Sequence, residues 1–151
     1  MLAVRCRQHS MPQRNRLSKN ARIAFLALVI AQAAHSIEEY VFRLYDVFAP
    51  ARFVSGLIST NLQTGFIAFN VAFVAFGFWC YAVPVQERLS VAMPFLWFWI
   101  VVELLNGFGH PLISILERSY IPGTITAPFL FTISIYLAVQ ITRRPLSPLR
   151  R

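Results

Sequence analysis

Residues 23–42 read IAFLALVIAQAAHSIEEYVF, and the fold turns on whether this is one helix or an apolar run that stops at His35. The apolar part, Ile23 to Ala34, is only 12 residues long, whereas a helix needs about 20 to cross the hydrocarbon core of a bilayer. It reaches that length only by carrying His35, Glu38 and Glu39 along to about Phe42, where Arg43 closes it. Ionisable groups are costly in that setting, so they normally face protein or water and mark function. A cleavable signal is the competing reading, because Ala31-Gln32-Ala33 resembles a small-residue cleavage site. The long polar stretch before the run and Tyr40-Val41-Phe42 after the acids oppose it.

The same arithmetic organises the rest of the chain. Val54 to Val83 carries no charge over 30 positions and ends at Pro84. Leu89 to Val102 must accept Glu103 before Leu104, Leu105 and Asn106 complete a span that Gly107-Phe108-Gly109-His110-Pro111 is expected to end. Tyr120 to Thr142 is a further uncharged run, with Pro122 suited to its first turn, Pro128 to a kink, and Arg143 and Arg144 beyond it. The expectation is an all-α, four-helix transmembrane bundle with spans of about 21–43, 56–83, 89–110 and 120–142. A flexible basic tail (1–20) precedes it, in which Met11 is an alternative start to Met1, and a basic tail (143–151) follows.

Composition agrees: 57% of the chain is hydrophobic and 13% charged, too little charge for a soluble domain, which carries about 25%. The net charge of +8 would suggest nucleic acid in a soluble protein, but here it reports topology. Eleven of the fourteen basic residues fall in the tail through Arg22, at Arg88 and beyond Thr142, against Arg43, Arg52 and Arg118 elsewhere. Both termini are therefore expected in the cytoplasm of a multi-pass cell-membrane protein, with membrane lipids rather than nucleic acid as partners. Cys6 and Cys80 are too far apart in sequence to suggest a paired metal site.

Polar residues converge on one level. Counted from Ala21 and Leu89, His35 and Glu103 each lie about 21 Å up their helices, and Glu38 and Asn106 each about 26 Å. At about 100° per residue, His35, Glu38 and Glu39 share roughly a 100° arc, and Glu103, Asn106 and His110 roughly 60°. The other two spans can bring Asn61, Gln63, Thr64, Tyr120, Thr124 and Thr126 to the same level. One polar pocket in the outer half of the bundle is the expectation.

These residues also carry a resemblance. His35-Ser36-Ile37-Glu38-Glu39, a later His110 and Tyr120-Ile121-Pro122-Gly123 together resemble the HXXEE family of small integral membrane proteins, over about Ala21 to Pro128. That family is described as of unknown function and a candidate for enzymatic activity, so the resemblance implies a site without naming its reaction.

Three functions suit the pattern. The first is an enzyme for a lipophilic small molecule at a divalent transition metal (zinc, iron or manganese) held by His35, Glu38, Glu39, Glu103 and His110, with Asn106 in support. The second is a metal-free acid–base isomerase or cyclase of an isoprenoid or sterol-like lipid, with Glu38 or Glu103 protonating an alkene or taking a proton and the other acid stabilising a cation, His35 holding the complementary proton and Tyr120 as a hydroxyl donor. Phe66, Phe69, Phe73, Trp97, Phe98 and Trp99 would line its pocket, although such a stripe is also ordinary packing surface. The third is a proton-linked carrier or lipid-binding accessory protein, which the lack of internal repeats opposes. Structural readings stand beside these: Glu39 can pair with Arg43 at i+4, His35 and Asn106 can bridge helices, and Tyr120 can sit at the interface.

Overall fold

A computed structural model describes residues 17–87 and 91–143; most of both basic tails, with Cys6, His9 and Arg88, lies outside them. Among the described residues every regular element is helical. Helix α1, Lys19–Val41, runs unbroken past His35, Glu38 and Glu39. Its start is set by Ser18, whose side chain accepts from the Ala21 N–H at 3.0 Å and satisfies one of the free first-turn donors. Arg43 then takes left-handed backbone (φ 57°) and turns the chain into the short α2, Leu44–Val47, and α3, Ala49–Ile58. Arg43 Nε donates to Asp46 Oδ2 at 2.6 Å, so Arg43 turns to the following carboxylate and not to Glu39.

The expected span at 56–83 is in fact two elements. Helix α3 ends at Ile58, and α4 runs Leu62–Cys80 before widening into a π turn, Tyr81–Val85. The break is written in Ser59-Thr60-Asn61: the Asn61 side chain accepts from the Thr64 N–H at 3.0 Å and starts a new helix. Hydropathy passes over these uncharged residues, whereas capping chemistry singles them out. The π turn accommodates Pro84, which has no N–H to donate, through an i+5 bond from Gln86 N to Tyr81 O at 3.0 Å.

Helix α5, Ala92–Leu116, continues through Gly107–Pro111, where an end was expected. Gly107 is a contact point and not a breaker: a Cβ there would lie 2.7 Å from Phe131 N and 2.9 Å from Ala127 O. Close backbone approach at glycine is a usual way for apolar helices to pack, and neighbouring helices tolerate the hydrogen bond lost at Pro111. The last helix, α6, is Ala127–Thr142. Pro128 lies in its first turn and causes no kink, and Tyr120–Thr126 is a non-helical segment and not the start of the helix.

Helices α1 and α5 both pack on α6, while α4 packs on α1 and carries α3 along its other side. One apolar cluster joins Phe25, Leu28, Val29, Leu96, Ile100, Leu130 and Leu137 with Trp99, which stacks on Phe73 at 4.5 Å between ring centroids. A second, smaller cluster of Leu44, Tyr45, Phe66 and Ile121 forms a cap near the far end of α1. The polar residues lie between the two. Helix α1, α4 with its π turn, and α5 are long and apolar enough to cross a membrane; α6 is apolar but has 16 residues. Large apolar side chains such as Ile30, Ile37, Phe53, Leu57, Leu105 and Phe108 point outward from the helices, consistent with a lipid surround.

Candidate metal centre

Helix α1 places His35 and Glu39 one turn apart on the same stripe, and α5 brings His110 against them. Glu39 Oε1 lies 3.3 Å from His35 Nε2 and 3.3 Å from His110 Nε2. The two imidazoles meet edge to face, with centroids 4.9 Å apart. All three residues are buried, and their ligand atoms lie within 4.8 Å of one another, a grouping that could hold a metal ion.

The second nitrogen of His35 fixes what the first presents. His35 Nδ1 is 2.7 Å from Thr126 Oγ1, and that hydroxyl also donates to Glu38 Oε2 at 2.6 Å. A hydroxyl has one proton, so Thr126 gives it to Glu38 and accepts from the His35 Nδ1–H. His35 Nε2 is left with its lone pair toward Glu39, and it is buried with no hydrogen-bond partner among the described residues. A carboxylate–hydroxyl–histidine chain of this kind orients a metal-ligating imidazole.

Glu38 is therefore separated from Glu39 in role as well as in direction. Successive helical residues diverge by about 100°, and the Glu38 carboxylate turns to the Tyr120–Thr126 segment. It accepts from Tyr120 OH at 2.6 Å, from the N–H groups of Gly123 and Ile125 at 3.0 Å each, from Thr126 N–H at 2.8 Å, and from the Thr126 hydroxyl. One carboxylate thus organises the whole turn. The turn in its place sets Gly123 on the two imidazoles: a Cβ on Gly123 would stand 2.7 Å from His35 Cε1 and 2.8 Å from His110 Nδ1. Gly123 also has φ +100°, which side-chain-bearing residues rarely adopt. Gly123→Ala is expected to destabilise the protein by about 2–4 kcal/mol, from backbone strain and displacement of both rings. Thermal unfolding of the purified variant in detergent checks it; an unchanged midpoint would show that the turn does not rest on the histidines.

Glu103 and Asn106 lie below this group. Glu103 is fully buried, accepts from Asn106 Nδ2 at 3.2 Å, and receives the Gln32 amide at 2.7 Å to Oε2 once that amide's O and N are exchanged. Gln32 is seven residues before Glu39 and Glu103 seven before His110, so two parallel helices meet at two levels two turns apart. The pairing of His35 with Glu103 at one depth is corrected by about three residues, roughly 4.5 Å. Depth was counted from Ala21 and Leu89, whereas the helices begin at Lys19 and Ala92.

Of the other polar residues expected here, Tyr120 reaches the group through Glu38, and Thr126 touches both Glu38 and His35. Asn61 caps α4, Gln63 donates to Tyr40 OH, and Thr124 pairs with Ser114. Gln32 and Asn70 were not anticipated. Asn70 accepts from Ser36 Oγ at 2.7 Å, and its signal was its polarity within a 30-residue uncharged run. A cavity of about 400 Å³ between α1, α3, α4 and α5 reaches Glu39 and His110 and is walled by Phe66, Phe69, Phe73 and Phe98.

Each sequence element now has a separate part: His35 and Glu39 face His110, Glu38 holds the turn, and Gly123 of the turn closes over the imidazoles. A family model described as a protein of unknown function with HXXEE motif matches residues 26–137. The chain belongs to the HXXEE family. Neither the curated proteins nor the solved structures contain a match to it. In this HXXEE protein the two adjacent glutamates of the motif do different work, because one faces α5 and the other faces the chain that follows α5.

Proposed function

We propose that this HXXEE protein is a multi-pass membrane enzyme that acts on a lipophilic small molecule at a divalent metal ion held by His35, Glu39 and His110. The observation that carries the reading is the convergence of two imidazole nitrogens on one carboxylate oxygen, at 3.3 Å each, at the end of an apolar cavity. Two ligands about 2.0–2.2 Å from one ion at a tetrahedral angle stand about 3.3 Å apart. Among the described residues His35 Nε2 is buried without a hydrogen-bond partner, which suits a ligand atom. Two histidines and one carboxylate suit zinc, iron or manganese, and three protein ligands leave a position free for substrate or water. The bound ion would supply Lewis acidity toward a substrate oxygen. The chain supplies the rest: Thr126 orients His35, Gly123 keeps the rings together, and the phenylalanine walls exclude water.

This ligand set is narrower than the one expected from sequence, because Glu38 is engaged by five donors and Glu103 lies two turns below His110. Metal analysis of full-length protein purified in detergent after supply of Zn²⁺, Fe²⁺ or Mn²⁺ tests the proposal. One ion per chain is expected, and none with any of the three overturns it. Metal-free acid–base chemistry is favoured by one observation, the fully buried Glu103 with only amide partners among the described residues. It predicts that Glu103→Gln abolishes turnover in a protein that binds no metal.

The topology we propose has four spans and cytoplasmic termini. Helix α6 is about 24 Å long, and Tyr120–Thr126 supplies the remaining depth toward a core of about 30 Å. A reporter fused after Arg151 is expected to act only in the cytoplasm; activity on the other side overturns the orientation.

A further inference from the structure

The cavity beside the metal group has a chemistry of its own. Three of its lining side chains are primary amides from three helices: Gln32 on α1, Asn70 on α4 and Asn106 on α5. Among the described residues no lysine or arginine lines it. Among the described residues the only anionic side chain there is Glu39, so a divalent ion held by Glu39 leaves one positive charge at the site. A phosphate or diphosphate head group, with about 1.5–2 negative charges per phosphate, would be buried without enough compensation.

The amide groups narrow the choice further. Asn70 Nδ2 donates to the Phe66 carbonyl at 3.0 Å, and Asn106 Nδ2 donates to Glu103 Oε2 at 3.2 Å. Asn106 Oδ1 accepts no hydrogen bond from the described residues, so this end of the cavity offers an acceptor. A hydroxyl is the smallest uncharged group that donates to such an acceptor and, through the same atom, presents an oxygen to the metal side. The four phenylalanine walls take hydrocarbon and offer it no polar contact.

Resting on the enzyme reading above, we propose that the ligand is an uncharged lipophilic alcohol, its hydroxyl between Asn106 and the Glu39–His110 pair and its hydrocarbon against Phe66, Phe69, Phe73 and Phe98. Anionic prenyl or acyl phosphates are excluded as the bound species.

Equilibrium binding of tritiated farnesol to the full-length protein in nanodiscs tests this, with displacement by unlabelled farnesol, farnesyl methyl ether and farnesyl diphosphate. Saturable binding of one farnesol per chain is expected, with the ether and the diphosphate each at least about tenfold weaker, the scale of one lost hydrogen bond. Asn106→Leu should weaken farnesol about tenfold by the same reasoning. Val102→Phe, which fills the cavity from its wall, should abolish binding while thermal unfolding stays cooperative. Diphosphate binding as tight as farnesol, or no saturable binding of farnesol to a chain that retains its metal, overturns the inference. Farnesol binding to a chain that takes up none of Zn²⁺, Fe²⁺ or Mn²⁺ supports the alcohol site and retires the metal centre, so the two failures are told apart.

Discussion

Glu39→Gln is expected to leave the purified protein without stoichiometric metal, with affinity reduced by more than about 100-fold. Changes to residues that merely orient a ligand already cost about 10- to 100-fold, and this change removes the one anionic ligand. It also removes the anion shared by two buried imidazoles, each 3.3 Å from Glu39 Oε1. An amide oxygen is a weaker ligand than a carboxylate and does nothing to offset the ion's charge. Glu103→Gln provides the contrast: Glu103 is outside the group of three, so metal content should stay at one per chain. Glu87→Gln, in an exposed turn, should change nothing. Elemental analysis of the three variants, with a competing chelator to rank affinities, separates the outcomes. Full retention of metal in Glu39→Gln would falsify the centre, and loss in Glu103→Gln would return Glu103 to the ligand set that the sequence suggested.

Why the sequence could point to the residues but not divide their roles is a matter of angle and register. Long apolar helices are legible because hydropathy is summed over many residues, and an error at one position changes little. The acids in α1 were legible for the same reason, since the span is too short without them. Which of Glu38 and Glu39 faces α5 depends on a 100° step, and that step has meaning only when the partner's position is known. The depth of α5 relative to α1 depended on helix starts, and an uncharged run does not reveal them. The break at Ser59–Asn61 was readable through capping chemistry, which a hydropathy reading ignores. Gly107 misled for a physical reason: glycine ends helices in water, but between two apolar helices it is where backbones touch.

The Tyr120–Thr126 turn shows the same limit from the other side. Read as the start of a helix, Tyr120-Ile121-Pro122-Gly123 assigns Pro122 to a first turn and leaves Gly123 without a purpose. Three features of the turn, at Tyr120, Gly123 and Ile125, instead depend on a carboxylate more than 80 residues earlier in the chain. No local pattern announces such a contact. The motif elements were therefore legible as a set well before any mechanism for their co-occurrence was.

Glu38→Ala should lower stability by about 3–5 kcal/mol, the largest effect on folding expected of any single change at the site. Hydrogen bonds to a charged group contribute about 1.5–3 kcal/mol each and are not additive. The loss here is of a single acceptor for five donors, three of them backbone N–H groups that no other described residue accepts from. Glu38→Gln should be nearly as harmful, because it replaces one acceptor oxygen with an NH₂ facing N–H and O–H donors. The unfolding midpoint in detergent should fall by about 10 °C, and protease sensitivity should appear within residues 120–126. Metal affinity should fall about 10- to 100-fold as well, since Thr126 loses the partner that makes it an acceptor for His35. These readouts separate a positioning role from the acid–base role. A catalytic Glu38 predicts that Glu38→Gln loses turnover with midpoint and metal unchanged. Thr126→Val sharpens the distinction: it keeps the backbone bond to Glu38 but removes the hydroxyl 2.7 Å from His35 Nδ1. Its metal affinity should fall by a similar factor with only a small change in midpoint, and Thr126→Ser, which restores the hydroxyl, should recover it. Equal affinity in Thr126→Val and the parent would break the link from Glu38 to the metal while leaving the turn intact.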